Sequence, residues 1–330
     1  MAVKIAIDFG SEFITIYHRG EGVILKEPSL VIISGSRKKT ELVATGTRAV
    51  KMLGRLDAGM NAVYPIRGGA VANVEACTLM LKDYVDKVAG AAMIKRRVEA
   101  VTLVSCGLTS AERSDIEGVV TKAGVSETVL AETPIAVFQL GKKDRALVMI
   151  IGSDLTELAI VTDDGVITGC SLDIAGSAFN KAISDYIALK YRVQIGAYAA
   201  EKVKLASGSM FENDMSVYTI NGKDLIENAP RSIEITASDV RKAITPLLDK
   251  LLEVIDTVMC ACPDNIIEEV YENGIFLAGG SASIPGLSEY ISVNCRMKVS
   301  VLPDPINAVA QGGGELINEP ETLNRLMKRE

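Results

Sequence analysis

Histidine is almost absent from this 330-residue chain, which contains only His18. A single histidine disfavours a hydrolase built on a Ser-His-Asp triad, and it excludes a metal site made of several histidines. His18 itself follows an apolar strand-like run, which indicates a surface or lightly buried position rather than a catalytic one.

Long apolar runs and closely paired cysteines are also missing. No apolar stretch approaches the roughly 20 residues that a membrane span needs, and the chain begins with a short strand-like run rather than a signal peptide. The six cysteines are scattered, and the closest two, Cys260 and Cys262, lack the C-x-x-C spacing of zinc and redox motifs. We therefore expect buried, reduced cysteines and a cytoplasmic protein.

The chain has fewer basic than acidic residues: 35 lysines and arginines against 42 aspartates and glutamates, which gives a net charge of −7. A globally acidic chain is a poor nucleic-acid binder, so we expect no nucleic-acid partner. The chain is 48% hydrophobic and 23% charged, which is typical of a folded protein, and its length suits two domains.

An internal repeat organises the chain. The sequence KIAIDFGSEFITI at 4–16 is echoed by ALVMIIGSDLTEL at 146–158, with Gly10-Ser11 aligned to Gly152-Ser153. Each copy reads as an apolar strand, a Gly-Ser turn and a second strand. The repeat predicts two related α/β halves that touch and enclose a cleft, although chance similarity between two hairpins is an alternative.

Local signals predict several further elements. Thr109 and Glu112 form a capping-box pattern for a helix that runs through Ala123. Thr236 and Asp239 suggest a second capped helix, reaching about Cys262, which Pro246 should kink or split. The apolar face of that helix is predicted to comprise Val240, Ile244, Leu247, Leu251, Ile255 and Val258. Asn221-Gly222 predicts a two-residue hairpin turn.

Three glycine turns are candidates for holding a phosphate or a nucleotide. Glycine lets backbone N–H groups approach an anion closely, and Ser11 and Ser153 add hydroxyl donors. The pair Gly279-Gly280, which follows an apolar strand, permits a flat ligand to lie against the backbone. Each turn alone is better explained as an ordinary turn, and the three together, with the first two in mirrored positions, strengthen the binding hypothesis.

At this point the chain resembles the actin superfamily, in particular its bacterial MreB branch, over essentially its full length. The segments that carry the resemblance are 7–11, 22–29, 52–55, 65–69, 107–113, 174–176, 200–204, 274–280 and 304–312. The resemblance implies an α/β, actin-like ATPase fold with two related lobes, each a mixed five-stranded sheet flanked by helices. Domain I would span 1–145 with a small subdomain at about 30–75. Domain II would span 146–330 with a small subdomain at about 197–236.

The resemblance also implies an ATP site, with adenine and ribose near Glu201 and Lys204. The nucleotide-binding residues it assigns are Asp8, Gly10, Ser11, Glu12, Phe13, Gly152, Ser153, Asp154, Gly176, Glu201, Lys204, Gly279, Gly280 and Ser281. Asp8 would also be the protein ligand of Mg²⁺. Glu201 and Lys204, three residues apart on one helix, are alternatively a plain surface ion pair.

The phosphate chemistry departs from the family pattern. Ile150 stands where the family has an acidic residue that helps to hold Mg²⁺, and Thr133 replaces the glutamate that orients the attacking water. Thr133 and the neighbouring Glu132 are the remaining catalytic candidates. Glu12 and Asp154 add negative charge beside a triphosphate. We therefore expect weak ATP binding, a doubtful Mg²⁺ site and reduced or absent hydrolysis, as in a pseudo-ATPase.

The resemblance further implies filaments at the inner face of the cell membrane. An apolar loop followed by basic residues would make the contact, through Met93, Ile94, Lys95, Arg96 and Arg97, and an ordinary helix-to-strand connection is the alternative. The expected partners are other copies of the chain, a paralogous actin homologue and the cell-wall synthesis machinery. Two alternative functions stay open: a filament-capping or regulatory binding module, and a small-molecule kinase or chaperone-type ATPase of the same superfamily.

Overall fold

The structure is a computed structural model that describes residues 2–36, 39–90, 97–319 and 321. Its internal contacts divide the described chain into two units. The first unit comprises the described residues of Met1–Asp144, Val161–Ser171 and Asn307–Glu330. The second unit comprises Arg145–Ile160 and Leu172–Ile306.

The strands are β1 (Val3–Phe9), β2 (Phe13–His18), β3 (Gly22–Pro28), β4 (Val31–Ser36), β5 (Lys39–Thr45), β6 (Met60–Val63), β7 (Ile66–Arg67), β8 (Ala70–Val71), β9 (Val98–Val104), β10 (Glu127–Glu132), β11 (Arg145–Ile151), β12 (Thr156–Thr162), β13 (Gly165–Leu172), β14 (Val193–Gln194), β15 (Val217–Asp224), β16 (Pro230–Thr236), β17 (Ile275–Ala278) and β18 (Val299–Val301). The helices are α1 (Gly46–Met52), α2 (Val74–Ala89), α3 (Ser110–Lys122), α4 (Thr133–Gly141), α5 (Gly176–Tyr191), α6 (Ala197–Ser207), α7 (Ala237–Cys260), α8 (Ile267–Asn273), α9 (Leu287–Cys295) and α10 (Ala308–Asn318). A short 3₁₀ helix covers Gly280–Ser283.

The first five-stranded sheet has the order β10-β9-β1-β2-β3. Strand β1 runs parallel to β9 and antiparallel to β2. Because side chains alternate across a strand, Ile5 and Ile7 of β1 face one side, where they join a core formed with α2 and α3. Ala6 faces the other side, where it lies next to α10. The sheet is therefore covered by helices on both faces.

The second five-stranded sheet has the order β13-β12-β11-β17-β18. Read in the opposite direction, this order corresponds to that of the first sheet, with β18, β17, β11, β12 and β13 in the places of β10, β9, β1, β2 and β3. The central strand β11 runs parallel to β17, as β1 does to β9. Residues 146–151 of β11 are all buried, as expected for a central strand. The predicted internal repeat and the predicted α/β class with two mixed five-stranded sheets are confirmed.

Two smaller three-stranded sheets accompany the large ones, in the orders β5-β4-β6 and β14-β15-β16. The prediction of a turn at Asn221-Gly222 is wrong, since both residues lie inside β15 and pair with Ser232 and Arg231 of β16. A Cβ at Gly222 would overlap the side chain of Val193 on β14. The glycine is therefore required by the close approach of β14 rather than by a turn.

Both predicted capping boxes are confirmed. Thr109 and Glu112 cap α3, and Thr236 and Asp239 cap α7. Of the two effects expected of Pro246, a kink or a split, the split is wrong, because α7 continues through the proline. The predicted apolar face of α7 is right except at one position, where Leu248 is buried and Leu247 is only half-buried.

The structure agrees with the expected burial of the cysteines only in part. Cys77, Cys106 and Cys262 are buried free thiols as expected, and burial raises the pKa of Cys77 to about 12. Cys260 is exposed, contrary to the expectation. Within the described ranges, no helix combines the length and the apolar character needed to cross a membrane.

Candidate functional site

The first Gly-Ser turn joins β1 to β2 and has a fixed shape. A Cβ at Gly10 would overlap the carbonyl oxygen of Phe13, so the turn closes only with glycine there. Ser29 holds the turn from outside: its Oγ donates to the carbonyl of Gly10 at 2.6 Å, and its N–H donates to the carbonyl of Glu12 at 2.8 Å. Ser29 therefore binds two carbonyl groups of this turn.

The side chains of this turn point in different directions. Ser11 Oγ accepts a hydrogen bond from the N–H of Gly69 at 3.3 Å, whereas the side chains of Glu12 and Phe13 are exposed. The ammonium of Lys26 lies 5.3 Å from the centre of the Phe13 ring. Asp8 is half-buried on β1, opposite Thr15 of β2.

The two catalytic candidates lie where β10 meets α4. Thr133 is the first residue of α4 and is buried. The carboxylate of Glu132, one residue earlier, forms an ion pair with Arg113 of α3, with a nitrogen–oxygen distance of 2.7 Å. Adjacent residues thus have different environments, and the carboxylate of Glu132 is engaged by a guanidinium.

The second Gly-Ser turn joins β11 to β12 and is tied to the start of α5. The N–H of Gly176 donates to the carbonyl of Gly152 at 3.0 Å, and the N–H of Ser177 donates to the carbonyl of Ser153 at 2.8 Å. The hydroxyl of Ser177 donates to Oδ1 of Asp154 at 3.0 Å. Three consecutive residues of the turn are therefore bound by the first two residues of one helix.

A buried charged group lies beside that turn. The ammonium of Lys204, on α6, is 7% exposed; it donates to Oε2 of Glu201 at 2.7 Å and to the carbonyl of Gly176 at 3.3 Å. Asn180 Nδ2, on α5, donates to the same carboxylate oxygen of Glu201 at 2.6 Å. The predicted residues Gly152, Gly176, Glu201 and Lys204 are thus brought together within the second unit.

Asn180 also presents an unsatisfied acceptor. Its Oδ1 is buried and has no hydrogen-bond partner among the residues that the structure describes. Exchanging the amide atoms would place an oxygen against the carboxylate of Glu201, so the hydrogen bond fixes the present orientation. A buried acceptor without a donor costs free energy, so this amide oxygen opposes the stability of the fold.

The glycine pair after β17 divides into two roles. Gly279 has a φ of +89°, and a Cβ there would overlap the carbonyl of Ile151, so this glycine is needed for packing against β11. At Gly280, by contrast, a Cβ would meet no atom within 4 Å. Ser281 is buried in the short 3₁₀ helix. Gly280 therefore leaves an open backbone surface that packing does not explain.

The donor set for a metal ion is weak. Ile150 is buried on β11, in register with Ala278 of β17, and offers no oxygen. Across the described part of the chain, no group of three or more histidine, cysteine, aspartate or glutamate side chains is placed to hold a metal ion. Mg²⁺ is usually bound by one or two carboxylates together with substrate phosphates and water, and Asp8 is the carboxylate that the family resemblance assigns to it.

The predicted membrane segment lies mostly outside the described residues. Met93, Ile94, Lys95 and Arg96 fall there, between the end of α2 and the start of β9. Arg97 is described and exposed. It forms ion pairs with Glu127 at 2.6 Å and with Glu99 at 3.3 Å.

Three residues were not predicted as site residues: Ser29 and Ser177, which hold the turns, and Asn180, which donates to Glu201. Ser29 lies within a segment that carries the family resemblance, but its contact with Gly10 is 19 residues distant in sequence. Ser177 follows a predicted glycine at the start of a helix, where a hydroxyl often takes part in capping contacts. The place of Ser177 at a helix start was therefore a sequence signal for its role, but it did not indicate that Asp154 would be its partner.

Comparison with known proteins finds a matching family and a curated relative. The family model described as "MreB/Mbl protein" matches residues 2–325. The cell shape-determining protein MreB of Pasteurella multocida (strain Pm70) is 30% identical over 324 residues, which cover 95% of this chain and 92% of that protein.

Two solved structures show the same fold. A crystal structure of MreB5 of Spiroplasma citri bound to ADP superposes with a TM-score of 0.88 at 24% identity, covering 98% of each chain. A structure of the MamK double helical filament gives a TM-score of 0.81 at 18% identity, covering 97% of this chain and 99% of that one. The predicted actin-like fold is thereby confirmed.

Proposed function

The chain belongs to the MreB/Mbl family, and from that premise we propose that it is a bacterial actin whose subunits assemble into filaments that help to determine cell shape. The match over 2–325 supports this proposal, as does the likeness to a protein whose structure was solved as a double helical filament. The two sheets of identical strand order would belong to the two related lobes of that actin, near 1–145 and 146–330.

We propose that the second unit binds the sugar and base of an adenine nucleotide. The observation that carries this proposal is the contact between Glu201, whose side chain is 38% exposed, and the buried side chain of Lys204, which also reaches Gly176. The carboxylate of Glu201 can accept hydrogen bonds from ribose hydroxyls, and the open backbone at Gly280 leaves room for a flat ring. MreB5 of Spiroplasma citri, which has the same fold, was crystallised with ADP.

We propose that ATP hydrolysis by this chain is slow or absent. Phosphoryl transfer depends on charge neutralisation and on an oriented water. Thr133 can hydrogen-bond a water but is a feeble base, and the carboxylate of Glu132 is held by Arg113. Ile150, which stands where the family resemblance implies an acidic ligand of Mg²⁺, offers only a buried hydrocarbon side chain.

Substitution at Gly280 tests nucleotide binding directly. Gly280→Val should leave the thermal unfolding temperature unchanged, since a Cβ there meets nothing, and should weaken binding of ADP and ATP by about tenfold or more by filling the open surface. Fluorescence titration of the purified full chain measures both affinities. Gly118→Val is the matched control, because a Cβ at Gly118 of α3 also meets no atom. Equal affinities in both variants would contradict the nucleotide site.

Membrane association is proposed to run through the segment Met93–Arg97. Burying Met93 and Ile94 would contribute roughly 1.5–3 kcal/mol each if complete, and each basic residue adds about 1 kcal/mol near an anionic surface. A single subunit would then bind marginally and a filament firmly, because its contacts are multivalent.

Vesicle flotation tests this second proposal. Filaments of the unaltered chain should float with vesicles that contain anionic lipid, and the double variant M93S/I94S should stay at the bottom of the gradient. Met215→Ser is the control, since Met215 is an equally apolar side chain that is 85% exposed elsewhere. Loss of flotation in the control as well would show that the effect is not specific to the segment.

A further inference from the structure

One end of the first sheet carries a cluster of charged side chains. The strand register places Lys4 of β1 opposite Glu99 of β9, and Glu99 opposite Glu127 of β10. Because residues opposite each other on neighbouring strands project to the same face of a sheet, these three side chains are neighbours. Arg97, which immediately precedes β9, joins them, and we call these four residues the charged cluster.

The guanidinium of Arg97 is directed towards the two carboxylates of this cluster. Its Nη2 lies 2.6 Å from Oε2 of Glu127, and its Nε lies 3.3 Å from Oε1 of Glu99. The backbone of Arg97 is tied to the sheet as well, since its carbonyl accepts the N–H of Val3 at 2.8 Å. The ammonium of Lys4 lies 3.9 Å from Oε2 of Glu99. Two positive charges are therefore matched by two negative charges.

These ion pairs change what Arg97 can contribute at a membrane. An anionic surface attracts a basic side chain and repels a carboxylate. Arg97 reaches a lipid phosphate only by leaving Glu99 and Glu127 or by bringing them to the surface with it. The side chains of Arg97 and Glu127 are 59% and 60% exposed, so a lipid headgroup can compete with Glu127 for the guanidinium.

We propose that Glu99 and Glu127 compete with anionic lipid for Arg97, so that the chain binds a membrane more weakly than its basic residues alone would allow. This inference rests on the membrane association proposed above. Arg97 is then the one predicted lipid contact that contributes little, because its charge is already neutralised within the protein. Neutralising the two glutamates releases Arg97 and strengthens membrane binding.

Vesicle flotation of four forms of the full chain tests the proposal: the unaltered chain, R97Q, E99Q/E127Q and R97Q/E99Q/E127Q. The vesicles contain phosphatidylglycerol and phosphatidylcholine, and the readout is the lipid concentration at which half of the chain floats. E99Q/E127Q should need about fivefold less lipid than the unaltered chain. R97Q should raise the requirement by at most about twofold in the unaltered chain and by about fivefold in the E99Q/E127Q background. On vesicles of phosphatidylcholine alone these differences should vanish.

Glu234→Gln is the matched control, since it removes an exposed glutamate of β16 outside the cluster and should leave the lipid requirement unchanged. E127Q alone removes the shorter contact of Arg97 and should give part of the gain.

Two results would overturn the competition and leave membrane association standing. One is an unchanged lipid requirement in E99Q/E127Q. The other is an equal effect of R97Q in both backgrounds, which would show that the glutamates act by general repulsion rather than through Arg97. Absence of flotation in all four forms would overturn the membrane association as well.

Discussion

At the scale of single residues, Asp239 joins two helices of the second unit through an unusually complete set of hydrogen bonds. Its carboxylate is 2% exposed, and it accepts from the hydroxyl of Tyr191 at 2.7 Å and from the ammonium of Lys190, both at the end of α5. The N–H and hydroxyl of Thr236 donate to it at the start of α7, at 3.1 and 2.9 Å. The aspartate therefore acts both as a helix cap and as an interhelical ion-pair partner.

These contacts determine how the charge of Asp239 depends on pH. Burial raises the pKa of Asp239, but the hydrogen bonds from Lys190, Tyr191 and Thr236 outweigh burial and hold the pKa far below its ordinary range. A carboxyl with a lowered pKa in the folded state stabilises the fold above its unfolded pKa of about 3.9 and loses this contribution as the pH falls further. The hydrogen bond to Asp239 raises the pKa of Lys190, so the share of Lys190 is lost only as the pH rises above about 10.4.

We predict that Asp239→Asn lowers the free energy of unfolding at pH 7 by about 2–3 kcal/mol, because a charged hydrogen-bond acceptor is lost from a buried position. The variant should also lose less stability than the unaltered chain between pH 5 and pH 2. Urea unfolding across this range measures both effects.

The exposed ion pair of Asp185 and Lys181 on α5 provides the comparison. Asp185→Asn should change the unfolding free energy by no more than about 0.5 kcal/mol. A pH dependence in Asp239→Asn as steep as that of the unaltered chain would contradict the role given to Asp239.

At the scale of elements, helix α10 contains three consecutive glycines, although glycine is among the poorest helix formers. Contacts within the first unit explain them. A Cβ at Gly312 would overlap the backbone carbonyl of Ala136 on α4, and Cβ atoms at Gly313 and Gly314 would press on Ala6 and on the ring of Tyr17. The glycines allow α10 to pack directly on α4 and on the first sheet.

We predict that Gly312→Ala destabilises the protein by about 2 kcal/mol, since the added methyl must displace backbone in a close-packed contact. Gly118→Ala, in α3, should instead stabilise it by up to about 1 kcal/mol, because the new Cβ meets no atom and alanine is the better helix former. Thermal and urea unfolding of the two variants measure the difference. A stabilising effect at both positions would show that the contact between α10 and α4 is loose.

Whether an element could be predicted from the sequence depended on how far apart in the chain its contacting residues lie. The capping boxes of α3 and α7 depend on residues three apart, so the local pattern was sufficient. Gly222 was predicted to form a turn because its neighbour is asparagine, but its conformation is determined by Val193, which is 29 positions distant in the chain. Likewise, nothing near Gly312 in sequence indicates its contact with Ala136. Local signals succeed where the determining contact is local.

At the scale of the whole molecule, the internal repeat was predictable because it is written twice, around Gly10 and again around Gly152, and the two sheets have the same strand order. The three glycine turns were predicted from the sequence pattern, whereas Glu201 and Lys204 followed from the family resemblance. Asn180 and Ser177 did not, because their importance depends on which side chains the fold brings next to them.

We propose that this MreB/Mbl family member assembles without hydrolysing nucleotide efficiently. The most direct test combines sedimentation of the full chain with phosphate release in the same sample, after addition of ATP and Mg²⁺. We predict filaments in the pellet while phosphate release stays far below the amount of assembled subunit. Phosphate release that keeps pace with assembly, or a chain that stays in the supernatant at every concentration and on anionic vesicles, would contradict the account.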